Sequence, residues 1–98
     1  MTEPIVQPPL SGVRVIELGQ LIAGPFCGQL LGDFGAEVIK VEAPDRPDPA
    51  RDWGAVKVNE QSVFWAIIAR NKKSVTLNLR LEQGQEILKR LISTADVL

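Results

Sequence analysis

Ninety-eight residues bound this chain to one small domain. With 45% hydrophobic and 23% charged residues, a net charge of −1 and a mean hydropathy of +0.06, the composition is globular; it excludes a disordered chain and a strongly basic nucleic-acid module. The absence of histidine excludes a Ser–His–Asp triad, a Cys–His pair and His metal sites, and a single cysteine excludes a disulfide framework or a Cys-based zinc cage.

Residues 1–9 are polar and Pro-rich and read as a flexible tail. Val13 to Leu18 is β-branched and nearly continuously apolar, as a buried parallel strand is. A loop over Gly19 to Gly24 follows. Pro25 suits the first position of a helix, Phe26, Leu30, Leu31 and Phe34 recur at helical spacing as one shared face, and Gly35 suits its C-terminal cap. Ala36 to Glu42 is a second strand, so the first forty-odd residues spell a parallel β–α–β unit.

Residues 43–61 alternate prolines with Asp and Arg and read as a long irregular loop, with Asp45, Asp48 and Asp52 as solvated surface. Ser62 is positioned to cap a short helix through Ala69, with Phe64, Trp65, Ile67 and Ile68 mostly buried. Asn71-Lys72-Lys73 reads as a basic turn and Ser74 to Leu79 as a third strand. Glu82 to Thr94 is an amphipathic helix with Ile87, Leu88, Leu91 and Ile92 inward, and Asp96-Val97-Leu98 begins a fourth strand. That final apolar run reads as a strand cut short, so 10–98 is expected to be part of a longer domain. Its apolar surface would then lack cover, which predicts self-association of the isolated chain.

The fold class expected is therefore α/β, a parallel sheet flanked by helices. Such sheets bind ligands at the carboxyl ends of their strands, which makes the first strand-to-helix turn the best candidate site. Gly19 to Gly24 has the glycine spacing of a phosphate-binding P-loop, but Pro25 and Phe26 stand where Lys and Ser/Thr are needed. The G-x-G-x-x-G dinucleotide fingerprint is missing, so Glu42, placed like a ribose-binding acid, is a weak signal. Gly24, Gly28 and Gly32 form a bare helical stripe; something packs closely there, whether the sheet, another subunit or a ligand. Cys27 lies in the first helical turn but has no histidine to activate it. Asn71, Lys72, Lys73 and Arg80 are the main cluster of positive charge, suited to an anionic cofactor or to plain solvation. No apolar stretch approaches the ~18 residues of a membrane span, and no signal peptide is visible, so a reduced cytoplasmic setting is expected.

Five runs of residues resemble one family in order. They are Pro9 to Leu18; Ile22-Ala23-Gly24-Pro25-Phe26; Leu30 to Glu42; Arg51-Asp52-Trp53-Gly54; and Asn71 to Leu79, followed by Ala95-Asp96-Val97-Leu98. They are similar to motifs of the class III coenzyme A transferases, which include formyl-CoA transferase, carnitine CoA-transferase and alpha-methylacyl-CoA racemase. The resemblance implies a Rossmann-like large domain, with residues 10–98 as its N-terminal, coenzyme A-binding segment, and an interlocked homodimer. It implies acyl-CoA and a carboxylic acid as substrates, no metal, and no nucleic-acid or membrane partner. CoA would pass from a thioester to the acid through aspartyl mixed-anhydride and thioester intermediates. The backbone of Ile22 and Ala23 would contact CoA, and Leu77, Asn78, Leu79 and Arg80 would line its site. Ala43 stands where some members carry an arginine near the nucleotide end of CoA. No residue here matches the family's catalytic aspartate, which lies further along its chains; Asp33 matches a structural position in a helix. Two alternatives stay open: a racemase segment of the same family, and a non-catalytic βαβ binding or interaction domain.

Overall fold

A computed structural model describes residues 6–98. Of the expected tail, residues 1–5 lie outside the described residues, while Pro8 sits against Gly35 and accepts the Ser11 N–H. Three parallel strands form the central sheet: β1 (Arg14–Glu17), β2 (Glu37–Glu42) and β5 (Lys72–Thr76), in the order β1-β2-β5. Val97 adds a parallel bridge to Val15 on the free side of β1, where the Ile16 N–H donates to the Val97 carbonyl at 2.9 Å. The chain thus builds outward from β1 through β2 to β5, then returns to the other side of β1.

Side chains alternate across the strands, so the sheet carries two different faces. Ile16, Ile39 and Val41 pack with Val75, Leu77, Leu88 and Leu91; the last two belong to α3 (Glu82–Ile92). Val15, Ala36 and Val38 pack on the opposite face with Val13 and with Leu31 of α1 (Ala23–Asp33). The expected parallel α/β layering holds. α3 ends two residues before Thr94, and Ile87 is half-exposed rather than inward.

α1 closes as its glycine requires. Gly35, at φ +105°, donates to Gly32 O, and Ala36 donates to Leu31 O. Its start and its faces differ from expectation. The helix begins at Ala23, two residues before Pro25, and it buries Pro25, Gly28, Gln29 and Gly32. Phe26, Leu30 and Phe34 point away from the sheet at 49%, 43% and 55% exposure, and only Leu31 of the four turns inward. The glycine stripe is the sheet-facing side, because a methyl at Gly28 would collide with the Glu17 carboxylate.

The expected irregular stretch 43–61 is partly ordered. It holds a 3-10 turn (Pro49–Asp52) and a small antiparallel hairpin of β3 (Lys57–Val58) and β4 (Gln61–Ser62). Asn59 and Glu60, at φ 52° and 64°, make the two-residue turn between them, a conformation that Asn accepts readily. Ser62 caps α2 (Val63–Ile68) as expected, its Oγ accepting the Trp65 N–H at 3.1 Å. Ile68 is buried but Ile67 is half-exposed, since a six-residue helix lying on the surface can bury one flank. β5 begins at Lys72, two residues earlier than the sequence suggests, because Lys72 pairs in register with Val38. Among the described residues no helix is long and apolar enough to cross a membrane.

Candidate functional site

The carboxyl ends of β1, β2 and β5 open into a crevice of about 360 Å³. Three segments wall it: Leu18–Gly19–Gln20 after β1, the end of β2 with Ala43, and Leu77 to Arg80 after β5. Asp45, Arg46 and Asp48 from the following loop close the fourth side.

Leu77, Asn78, Leu79 and Arg80 therefore lie together in the crevice wall. The Leu77 N–H donates to Glu42 O, extending the β2–β5 pairing by one bond. Asn78 Oδ1 accepts the Arg80 N–H at 3.1 Å and shapes the turn into α3. Gly84 of α3 lies so close to the Asn78 carbonyl that no side chain fits between them. Ile22 and Ala23 are exposed at the start of α1 and do not line the crevice. Ala43, where some similar proteins carry arginine, does line it.

The positive cluster expected from Asn71, Lys72, Lys73 and Arg80 does not form. Lys72 and Lys73 lie at the start of β5 and Arg80 beyond its end. The Lys72 amine is buried, and Lys73 Nζ pairs with Glu37 at 2.6 Å. Arg80, whose side chain is 68% exposed, shares the crevice with Arg46 instead, and its nearest carboxylate is Asp45 at 3.9 Å.

Beneath the crevice lies an ionic network that sequence reasoning missed. Glu17 of β1 and Lys40 of β2 are register partners, and the Lys40 amine donates to Glu17 Oε2 at 2.8 Å. The same amine lies 2.8 Å from Asp48 Oδ2 and donates to Gly19 O at 3.0 Å. Lys72 Nζ lies 2.7 Å from Glu17 Oε1 and donates to Pro25 O at 2.8 Å. Two ammonium groups thus balance two carboxylates, with the side chains at 0–4% exposure. The surviving clue in the sequence is a pair of opposite charges within the strands, Glu17 on β1 and Lys40 on β2, which are directly paired in register.

Asp48 corrects the solvated-surface reading most directly, since its side chain is 0% exposed. Its Oδ1 accepts the N–H groups of Ala50 at 2.9 Å and Leu21 at 3.1 Å. Asp45 and Asp52 remain exposed as expected. Glu42 is not free for a ribose: Arg51 grips both its oxygens, at 2.6 and 2.9 Å, and the Asp48 N–H donates to it at 2.7 Å. The Arg51 guanidinium also stacks 4.3 Å from the centre of the Trp65 ring.

The turn after β1 is tightly built. A Cβ on either Gly19 or Gly24 would lie 2.9 Å from the other's Cα, so these glycines serve backbone contact rather than a P-loop. Leu21 sits at φ +66°, a left-handed conformation that costs a bulky residue ~1–2 kcal/mol.

These contacts predict an acid limit to stability. The Arg51 guanidinium, against the opposing effect of burial, holds the Glu42 carboxyl below its usual range. Burial works against ionisation of Asp48, but the Lys40 ammonium and the Ala50 and Leu21 N–H groups outweigh it and hold that carboxyl low as well. Both groups bind a proton less readily folded than unfolded, so their stabilisation is complete above the unfolded value and lost as pH falls through the folded one. Thermal denaturation should give a flat melting temperature from pH 8 to 5 and a steep fall below about pH 4. A melting temperature independent of pH down to 3 would contradict the network.

The profile of a family described as CoA-transferase family III matches residues 10–98. The chain is 54% identical over 90 residues to the succinyl-CoA–D-citramalate CoA-transferase of Chloroflexus aurantiacus, covering 92% of this chain and 22% of that protein. It is 46% identical over 89 residues to the mouse succinyl-CoA:glutarate CoA-transferase, covering 91% of this chain and 20% of that one. Among solved structures, a CAIB/BAIF family protein from Brucella suis superposes with a TM-score of 0.82 at 40% identity, covering 94% of this chain and 25% of that chain. A hypothetical protein from Mycobacterium tuberculosis gives 0.78 at 45%, covering 92% and 24%. The chain thus spans between 20% and 25% of the length of these relatives.

Proposed function

Because this chain belongs to CoA-transferase family III, we propose that it forms the coenzyme A-binding segment of an enzyme that moves CoA from an acyl-CoA thioester to a carboxylic acid. The observation that carries this reading is the crevice itself. Its wall is the Leu77–Arg80 segment, at the carboxyl end of a parallel sheet, with Arg46 and Arg80 as its exposed cations. The phosphates of CoA would meet those two guanidiniums, and the Asn78 turn would fix the angle at which Arg80 enters. Ile22 and Ala23, at the exposed start of α1, would contact the ligand where it extends beyond the crevice.

The reaction needs a carboxylate nucleophile, and an aspartate is ionised at neutral pH without a histidine. That aspartate is proposed to lie outside residues 1–98, with acyl transfer running through mixed-anhydride and thioester intermediates. The two relatives from Chloroflexus aurantiacus and mouse are named as succinyl-CoA transferases, so succinyl-CoA is the first donor to try and a dicarboxylic acid the first acceptor. No observation here favours the racemase or the non-catalytic alternative.

The assembly proposed is a homodimer working in the cytoplasm without a metal. Phe26, Leu30 and Phe34 present an apolar strip on the outer side of α1, which a second subunit would cover.

Replacing Arg80 tests the site. In the full-length enzyme Arg80→Ala should raise KM for the thioester about tenfold, the worth of one charge-assisted hydrogen bond, and leave kcat nearly unchanged. An unchanged KM would remove Arg80 from the site.

A further inference from the structure

We propose that Asp48 is a positioning residue: from the loop after β2 it holds the β1–α1 turn, Gly19 to Ile22, in the one shape that receives the nucleotide ligand. The function assigned to that shape rests on the coenzyme A reading above; the tether itself does not. Asp48 reaches the turn at two points. Its Oδ1 accepts the Leu21 N–H, 27 residues earlier in the chain. Its Oδ2 pairs with Lys40, whose amine in turn donates to Gly19 O.

The turn needs such a hold. Leu21 at φ +66° is in a conformation its side chain disfavours, so the segment does not keep this shape unaided. Gly19 meanwhile is pressed against Gly24, which leaves no slack for a compensating shift. Residues 18–20 form one wall of the crevice, so a turn that relaxes moves that wall. Both oxygens of Asp48 are engaged and its side chain is fully buried. It therefore acts through the turn rather than on a ligand.

Three variants separate this role from simple stabilisation. Asp48→Ala removes the acceptor; Asp48→Asn keeps a carbonyl oxygen for Leu21 but discards the charge facing Lys40. Leu21→Gly, in the Asp48→Ala background, makes the left-handed turn accessible without a tether. Two readouts apply in the full-length enzyme: hydrogen exchange of the Leu21 amide, which needs no ligand, and calorimetric titration of the same protein with coenzyme A. We expect the Leu21 amide of Asp48→Ala to exchange at least tenfold faster and its CoA Kd to rise about tenfold, as for one lost hydrogen bond to a charged acceptor. Asp48→Asn, which keeps the Leu21 acceptor but loses the Lys40 pairing that supports Gly19, should fall between wild type and Asp48→Ala in both, with a lower melting temperature, and Leu21→Gly should restore part of the lost affinity. Equal losses in the Asn and Ala variants would overturn the proposal, since the Leu21 acceptor that only the Asn variant keeps would then contribute nothing; so would unchanged Leu21 exchange. If Asp48→Ala does not fold, the folded Asn variant decides: a Leu21 amide that exchanges as fast as an unstructured one refutes the tether. If wild type fails to bind coenzyme A, the coenzyme A reading falls, and Leu21 exchange still judges the tether.

Discussion

Lys40→Met should lower the melting temperature by roughly 15 °C or more. The substitution keeps most of the apolar side chain and removes its charge from a site that is 3% exposed. Glu17 and Asp48 would then share one remaining ammonium, that of Lys72, which contacts Glu17 alone. Breaking a buried ion pair from one side costs ~3–5 kcal/mol, because the abandoned charge stays buried. In a domain of about this size each kcal/mol shifts the melting temperature by ~4–8 °C. The loss would reach beyond one contact. Lys40 also holds Gly19 O, so the β1–α1 turn, the crevice floor and the loop carrying Asp48 should loosen together. Lys73→Met is the control. Lys73 lies on the same sheet, but its side chain is 68% exposed where it pairs with Glu37, and removing such a pair costs below ~1 kcal/mol. Circular dichroism melts of both variants measure the difference. Equal, small shifts would mean that the network does not bear on stability.

Gly28→Ala should destabilise the protein by ~1–3 kcal/mol, the range for overpacking a filled core, while Gly32→Ala should be neutral or stabilising by up to ~1 kcal/mol. Both residues lie on the buried face of α1 and both are poor helix formers. What they face differs. The new methyl at Gly28 would run into Glu17 Oε1, with Val38 Cγ1 3.4 Å away behind it. Glu17 cannot swing aside, since one oxygen faces Lys72 and the other accepts from Lys40. At Gly32 the methyl would meet Val38 Cγ2 at 3.4 Å, a van der Waals contact, and the gain in helix propensity remains. Chemical denaturation of the two variants reads the contrast. If both alanines behave alike, the close approach of α1 to the sheet is not set by Glu17.

Local signals were legible wherever a residue's chemistry acts within a few positions of itself. Ser62 caps α2 because its hydroxyl reaches the third N–H beyond it, and Gly35 ends α1 because a positive φ is cheap only for glycine. The alternation of apolar and turn segments likewise gives the three parallel strands and their order along the chain. The hairpin at Lys57–Ser62 gives no such signal, since its strands are two residues long, three of the four side chains are exposed, and no hydrophobic pattern results. Lys72 misleads for a related reason. A lysine beside Asn71 and Lys73 looks like a solvated turn, and only its pairing with Val38 turns the amine inward toward Glu17.

The faces of α1 show the same limit. Periodicity finds two stripes on that helix, one of bulky apolar residues and one of glycines, but it does not say which meets the sheet. The bulky stripe is the usual choice on hydrophobic grounds. Here the sheet presents the Glu17 carboxylate, and only a bare backbone at Gly28 can sit above it.

By itself, then, the sequence determines an α/β segment, its strand–helix alternation, two helix ends and a family resemblance carried by five ordered runs. These rest on short-range propensities and on motifs that can be read one window at a time. Only the tertiary structure decided that Glu17, Lys40, Asp48 and Lys72 share one buried site, that the Leu77–Arg80 segment faces Asp45 and Arg46 across a crevice, and that Phe26, Leu30 and Phe34 are left outside. The reason is physical. A charge is read as solvated or buried according to the partner it finds, and here the partners are separated by as much as 55 positions between Glu17 and Lys72, a distance closed by strand register rather than by any local pattern.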